Sequence, residues 1–210
     1  MLTFSHDDVV HGKGSLAFRM PGTIEEKFAN LRLTLAYKIV HPGKKLTFMG
    51  QDMGDMEEWN DKKTLKWNIL EYPVHKGINQ LCIDLNELYR TEDALYYFDD
   101  SSEGFEWINS ISSQNSCLSF MRKGNDSNEV LVVVANFSNC TVENRIGLPF
   151  AGYLSELINT NHKKYGGEGN INAYEIRTEE IKSDARPFST IVKTAPYSLC
   201  ILRLKKEENE

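Results

Sequence analysis

Long apolar runs are missing from this sequence: none reaches the roughly 20 residues that a helix needs to cross a bilayer, so no membrane partner is expected. No secretory signal is expected ahead of the first motif. The three N-x-S/T sequons at Asn125, Asn136 and Asn139 then read as chance matches. Clustered positive charge is absent too. The 24 Lys and Arg are outnumbered by 30 Asp and Glu, for a net charge of −6. They form no stripe or arm of the kind that neutralises phosphates, which argues against nucleic acid. The four cysteines, Cys82, Cys117, Cys140 and Cys200, lie far apart with no C-x-x-C pair. That pattern points away from a disulfide framework and toward buried free thiols in a reducing cytoplasm, Cys82 on a helix face and the others in strands. Gly12-Lys13-Gly14-Ser15 has no Gly five residues before Lys13 and no Ser or Thr directly after it, so it cannot cradle a nucleotide phosphate.

What is present divides into two patterns. Thr23-Ile24-Glu25-Glu26 has the form of a capping box, and apolar residues then recur at Ile24, Phe28, Leu31, Leu35 and Ile39 until His41-Pro42-Gly43 ends the helix. Leu46-Thr47-Phe48-Met49 reads as a buried parallel strand. A second helix carries Ile78, Leu81, Cys82, Leu85, Leu88 and Tyr89 on one face. This is the alternation of a βα-repeating fold. From about Phe105 the helical period gives way to short strand-like runs at 106–108, 117–121, 130–135, 154–158, 174–176, 190–192 and 199–204. Gly, Asn, Ser and Asp clusters separate them, as in an antiparallel β-sandwich able to close its own core. The expected fold class is therefore α/β plus all-β. Residues 1–104 form the first unit, 105–204 the sandwich and 205–210 a charged, frayed tail. Trp67 and Trp107 are expected in the core.

The densest chemistry sits at Ser5-His6-Asp7-Asp8-Val9-Val10-His11-Gly12-Lys13. A His-Asp pair directly after an apolar stub (Leu2, Thr3, Phe4) fits side chains delivered from the C-terminal end of a parallel strand, where (β/α)₈ enzymes place catalytic groups. Read without context, the same pair better suits a helix terminus or turn, since Ser and Asp cap helices. A metal site at His6, Asp7 and His11 would lack a supporting ligand cluster, so neither metal nor cofactor is expected.

The run resembles the fourth active-site region of the glycogen (1,4-α-glucan) branching enzymes, S-H-D-E-V-V-H-G-K, with Asp8 in place of Glu. The resemblance continues through Met20-Pro21-Gly22, 27–32, 41–46, Phe48-Met49-Gly50-Gln51, Glu58-Trp59-Asn60, Leu70-Glu71-Tyr72-Pro73, 104–108, 157–160 and Tyr165-Gly166-Gly167. It implies the end of a (β/α)₈ catalytic barrel followed by an all-β C-terminal domain. It also implies a retaining transglycosylase: a carboxylate nucleophile attacks the anomeric carbon, and a 6-hydroxyl of another glucan chain intercepts the glycosyl-enzyme to form an α-1,6 branch. On this resemblance Asp7 is the third carboxylate, gripping hydroxyls of the reacting sugar, and His6 is its neighbour. Trp59, in the polar loop after 46–49, either lies against a glucose ring or packs that loop on the barrel rim, with Gln51 and His11 as further substrate contacts. The nucleophile and acid/base carboxylate belong to preceding segments of the family; Asp8, Asp52 and Asp55 stand in no matching motif. An in-frame continuation upstream that encodes those two segments would make Met1 an internal start. The 210-residue chain alone is expected to be inactive, with the missing barrel segment as a possible separate partner chain. The alternatives are a non-catalytic glucan-binding or scaffolding module and a related α-amylase-type hydrolase.

Overall fold

The structure is a computed structural model and describes residues 4–110 and 116–207. Leu2 and Thr3 of the apolar stub and residues 208–210 of the expected tail lie outside the described residues. Three helices come first: α1 (Leu16–Arg19), α2 (Ile24–Val40) and α3 (Pro73–Thr91). The capping box of α2 forms as the sequence indicates. Thr23 Oγ1 accepts from the Glu26 amide at 3.3 Å, and Glu26 returns the bond to the Thr23 amide at 2.7 Å, satisfying two otherwise orphaned donors. α3 begins with Pro73 in its first turn, where the missing N–H is no loss.

The parallel strand expected at Leu46–Met49 does not form. That segment is irregular, and Leu46 and Met49 are exposed. No neighbouring strand among the described residues offers it a ladder. Side chains take the backbone's place: the Lys38 ammonium donates to the Leu46 carbonyl and the Thr47 hydroxyl, each at 2.8 Å. Apolar content was sufficient for a strand, but a strand also needs an edge to pair with.

The second half holds β1 (Phe105–Asn109), β2 (Cys117–Lys123), β3 (Glu129–Asn136), β4 (Val142–Leu148), β5 (Gly152–Asn159), β6 (Glu175–Arg177), β7 (Phe188–Thr194) and β8 (Ser198–Lys206). Six of them form one sheet in the order β1-β2-β3-β8-β5-β6, and β4 pairs with β7 in a two-stranded ribbon. Every ladder is antiparallel. β8 reaches Lys206, so the first two residues assigned to a frayed tail are in the sheet.

The large sheet is covered on both faces. Val130, Val132 and Val134 of β3 join Cys200, Leu202 and Leu204 of β8 in a core with Ile146, Leu148 and Val192 of the ribbon. The alternate residues, Leu131, Val133, Ala135, Leu199 and Ile201, pack with Leu33, Ala36, Ile39, Leu81 and Leu85 of α2 and α3. This double cover explains why 130–135 is apolar at every position instead of alternating. The sandwich closes a core of its own between the large sheet and the ribbon, as expected, and the helices add a further layer on the opposite face.

Arg122, 0 % exposed on β2, joins the two halves. Its guanidinium donates to the carbonyls of Gly104 (3.0 Å), Val40 (2.8 Å) and Leu95 (3.2 Å) and to Asp99 Oδ1 (2.9 Å). Trp67 and Trp107 are not core residues: they are 65 % and 41 % exposed. Cys140 also departs from expectation, lying exposed in the β3–β4 connection, while Cys117 and Cys200 are buried and Cys82 is half-buried.

Candidate functional site

His6, Asp7 and Asp8 form a single 3-10 turn. Ser5 caps it, accepting from the Asp7 amide at 3.3 Å, and Asp8 answers by accepting from the Ser5 amide at 2.9 Å. Asp8 is thus occupied in holding the turn, which leaves Asp7 as its outward carboxylate. His6 Nε2 stands 3.2 Å from Asp7 Oδ1, and both side chains are open to solvent. The imidazole lies 6.2 Å from the Phe48 ring, which in turn meets Trp59 edge-on at 5.1 Å. The irregular 46–49 segment therefore supplies the ring that spaces His6 from Trp59.

The loop after the turn is fixed by Glu58. Its two carboxylate oxygens accept from the backbone amides of Gly12 (3.0 Å) and Gly14 (2.7 Å). Both glycines have positive φ, +79° and +75°, a region in which a side chain would be strained. The two amide donors hold the Glu58 carboxyl below the usual carboxylate range. Lys13 folds back to donate to the Asp7 carbonyl. The Gly-Lys-Gly run is thus an anchor for an adjacent carboxylate. Sequence reasoning assigned Glu58 no role; the available signal was a pair of glycines spaced to present two amides, together with an acidic residue beside Trp59.

Between these elements lies an open cleft of about 420 Å³ whose lining includes His6, His11, Glu58, Trp59 and Lys62. Three of the residues expected in substrate contact, His6, His11 and Trp59, meet there. Asp7 is not among the residues lining it and is linked to it through its pair with His6. Gln51 does not face it: the residue is 5 % exposed, and its amide accepts from the Phe48 N–H at 3.1 Å and donates to the Phe4 carbonyl at 3.4 Å. Gln51 therefore positions Phe48. An imidazole, an indole face and a carboxylate around an open groove can grip hydroxyl groups and cover an apolar ring face, which is the recognition chemistry of a sugar. Among the described residues no group of three or more His, Cys, Asp or Glu is arranged to hold a metal ion, and no helix is long and apolar enough to cross a membrane.

Comparison with known proteins gives two findings. Residues 107–205 match the family described as alpha amylase, C-terminal all-beta domain. Nearly the whole chain is similar to proteins named 1,4-alpha-glucan branching enzyme GlgB. The relative from Aquifex aeolicus (strain VF5) is 44 % identical over 97 % of this chain and 32 % of its own length. That from Prochlorococcus marinus (strain MIT 9515) is 49 % identical over 98 % and 28 %, and that from Geobacillus stearothermophilus 40 % identical over 99 % and 33 %. The chain thus spans about a third of the length of these curated relatives.

Proposed function

We propose that this chain, whose residues 107–205 match the alpha amylase C-terminal all-beta domain family and which is similar over nearly its whole length to 1,4-alpha-glucan branching enzymes, acts as part of such an enzyme. The reaction is cleavage of an α-1,4 link and transfer of the released glucan chain to a 6-hydroxyl, giving an α-1,6 branch. The observation that carries the reading is the His6–Asp7 pair standing beside Trp59 on a turn whose following loop is clamped by Glu58. In this reading Asp7 and His6 bond hydroxyls of the reacting sugar. Their hold tightens as the ring flattens and positive charge grows on the anomeric carbon, and only such differential contact speeds the chemistry. Trp59 covers a ring face of the substrate, and His11 lines the groove. The attacking and proton-donating carboxylates are supplied by segments other than these 210 residues, within a longer chain or as a partner polypeptide.

We divide the chain functionally at 104/105, placing the substrate groove in the first unit; the domain-family match at 107–205 supports this division. The thiols, none of which is in a disulfide, support a reducing, cytoplasmic setting. The test is to supply the chain with the barrel segments that carry the other two carboxylates and to measure new α-1,6 linkages against released reducing sugar on amylose. Linkages without reducing ends are expected. Reducing ends alone would make the protein a hydrolase, and activity of the 210-residue chain by itself would overturn the assignment of the missing carboxylates.

A further inference from the structure

A second cleft, of about 410 Å³, lies between α2 and the loops at one end of the β-domain. Arg32 of α2 lines it although the residue is only 5 % exposed. Its Nε donates to the Thr160 carbonyl at 2.9 Å, tying the helix to the chain just beyond β5. Its two terminal nitrogens make no hydrogen bond or ion pair among the described residues. Burial pulls the Arg32 pKa down to about 10, against the opposing pull of the Glu168 carboxylate. Tying the helix to Thr160 needs one donor. A guanidinium carries five, and the donors on its terminal nitrogens are not sealed from solvent. Those spare donors border the cleft.

The other walls are held firmly. Asn161 Oδ1 accepts from the Glu168 backbone amide at 3.2 Å, and the Asn161 backbone N–H donates to Asn159 Oδ1 at 2.9 Å. This loop presses on the helices so closely that a Cβ added at Gly77 would lie 2.5 Å from the Tyr165 backbone. Tyr197, in the β7–β8 turn, has φ +47°, in the left-handed region that bulky residues seldom occupy and that Gly or Asn would adopt with less strain. An aromatic ring is nonetheless kept there, with its N–H donating to the Ser138 carbonyl at 3.0 Å.

The charge around the cleft selects the ligand. Three carboxylates, Glu25, Glu26 and Glu168, outnumber the single guanidinium, which disfavours a phosphate or carboxylate ligand. Planar donors and acceptors beside an aromatic ring suit a neutral polyol, whose vicinal hydroxyls accept from Arg32, donate to Glu168 and leave a C–H face for Tyr197. The volume falls within the roughly 300–1,000 Å³ of small-molecule sites. We propose that this cleft binds a short segment of α-1,4-glucan, with Arg32 as hydroxyl donor, Glu168 as acceptor and Tyr197 as stacking surface. The proposal rests on the reading that this protein handles α-glucan and adds a holding site built from residues other than those of the His6–Trp59 groove.

The test is calorimetric titration of the full 210-residue chain with maltohexaose, and separately with inorganic phosphate. Arg32→Gln removes the spare donors, while Tyr197→Asn removes the ring and leaves a residue that tolerates the same backbone; the second variant keeps the test valid if the first fails to fold. Each is expected to weaken maltohexaose binding by about tenfold or more, whereas Lys182→Gln, an exposed residue that lines neither cleft, leaves it unchanged. Binding lost in Asp7→Asn but kept in Tyr197→Asn would overturn this proposal while leaving the functional reading intact, since the glucan would then sit in the His6–Trp59 groove. No maltohexaose binding, or binding of phosphate alone, would overturn it as well. The functional reading would then be decided separately by the linkage assay.

Discussion

Replacing Arg122 with Met should be among the most damaging single changes in this protein. The guanidinium is fully buried and satisfies three backbone carbonyls, Val40, Leu95 and Gly104, besides the Asp99 carboxylate. Met fills similar space but donates nothing, so the three carbonyls lose their partner. Asp99, 13 % exposed, keeps only Lys45 at 3.6 Å and the Gly43 amide at 3.2 Å. Removing one partner of a buried ion pair costs about 3–5 kcal/mol, and stranding a neutral carbonyl costs about 1–3 kcal/mol where water cannot enter. Because the site can relax, we take about 4 kcal/mol in total. With a urea dependence of about 3 kcal/mol per molar for a chain of this size, the unfolding midpoint should fall by about 1.3 M. Lys at the same position keeps the charge but not the fork of donors, and should recover less than half of the loss. The measurement is urea unfolding of parent, Met and Lys proteins side by side. A midpoint shift below about 0.3 M for Met, equivalent to about 1 kcal/mol, would refute the claim that this side chain joins the helical and β layers.

The remaining expectations concern smaller features. Tyr165, 0 % exposed, donates to Asp84 Oδ2 at 2.6 Å, so Tyr165→Phe should cost about 1.5–3 kcal/mol by thermal unfolding near neutral pH. Burial raises the Asp84 pKa, but hydrogen bonds from Tyr165, Lys164 and Gln80 outweigh it and hold the carboxyl below its ordinary value. Its contribution is therefore complete above the unfolded value of about 4 and lost as pH falls through the folded one; a gap between parent and Phe variant that widens in acid would contradict this. Gly77→Ala raises helix propensity by about 1 kcal/mol, yet should destabilise, because the new methyl would meet the Tyr165 backbone at 2.5 Å; a higher melting temperature would show that the contact yields. Of the four cysteines only Cys140 is exposed; native-state alkylation should label it first, and all four should label in denaturant. Two labels after denaturation without reductant would reveal a disulfide.

Both long helices and seven of the eight strands among the described residues are legible in the sequence, because capping boxes, helical period and dense β-branched runs are local signals. β4 escapes notice because Glu143, Asn144 and Arg145 leave only Val142, Ile146 and Leu148 to mark a strand that is half open to solvent. The 46–49 run misleads in the other direction: its composition suits a strand, but pairing is a property of neighbours. The continuous apolar run of β3 records its double cover, but not which elements, the ribbon on one face and α2 with α3 on the other, supply it. At the candidate site, the His6–Asp7 pair and Trp59 are recognisable as chemistry-bearing types in a familiar order. The inward turn of Gln51 and the clamp made by Glu58 depend on contacts spanning about 40 to 50 residues of chain, such as 46 between Gly12 and Glu58, which residue order alone does not encode.

The most direct test of the functional account is the Asp7→Asn substitution in a complete branching enzyme containing this segment. Asn keeps the shape of the side chain and removes the negative charge that opposes the growing positive centre, so folding should be unaffected. The assay is formation of α-1,6 linkages from amylose, with thermal unfolding as the control. Loss of one such stabilising contact elsewhere lowers turnover by about 10²–10³, or about 2.7–4 kcal/mol, and a fall of at least that scale with an unchanged melting temperature is the expected result. Near-parental branching by the Asn variant at unchanged stability would contradict the assignment of Asp7 to the reacting sugar.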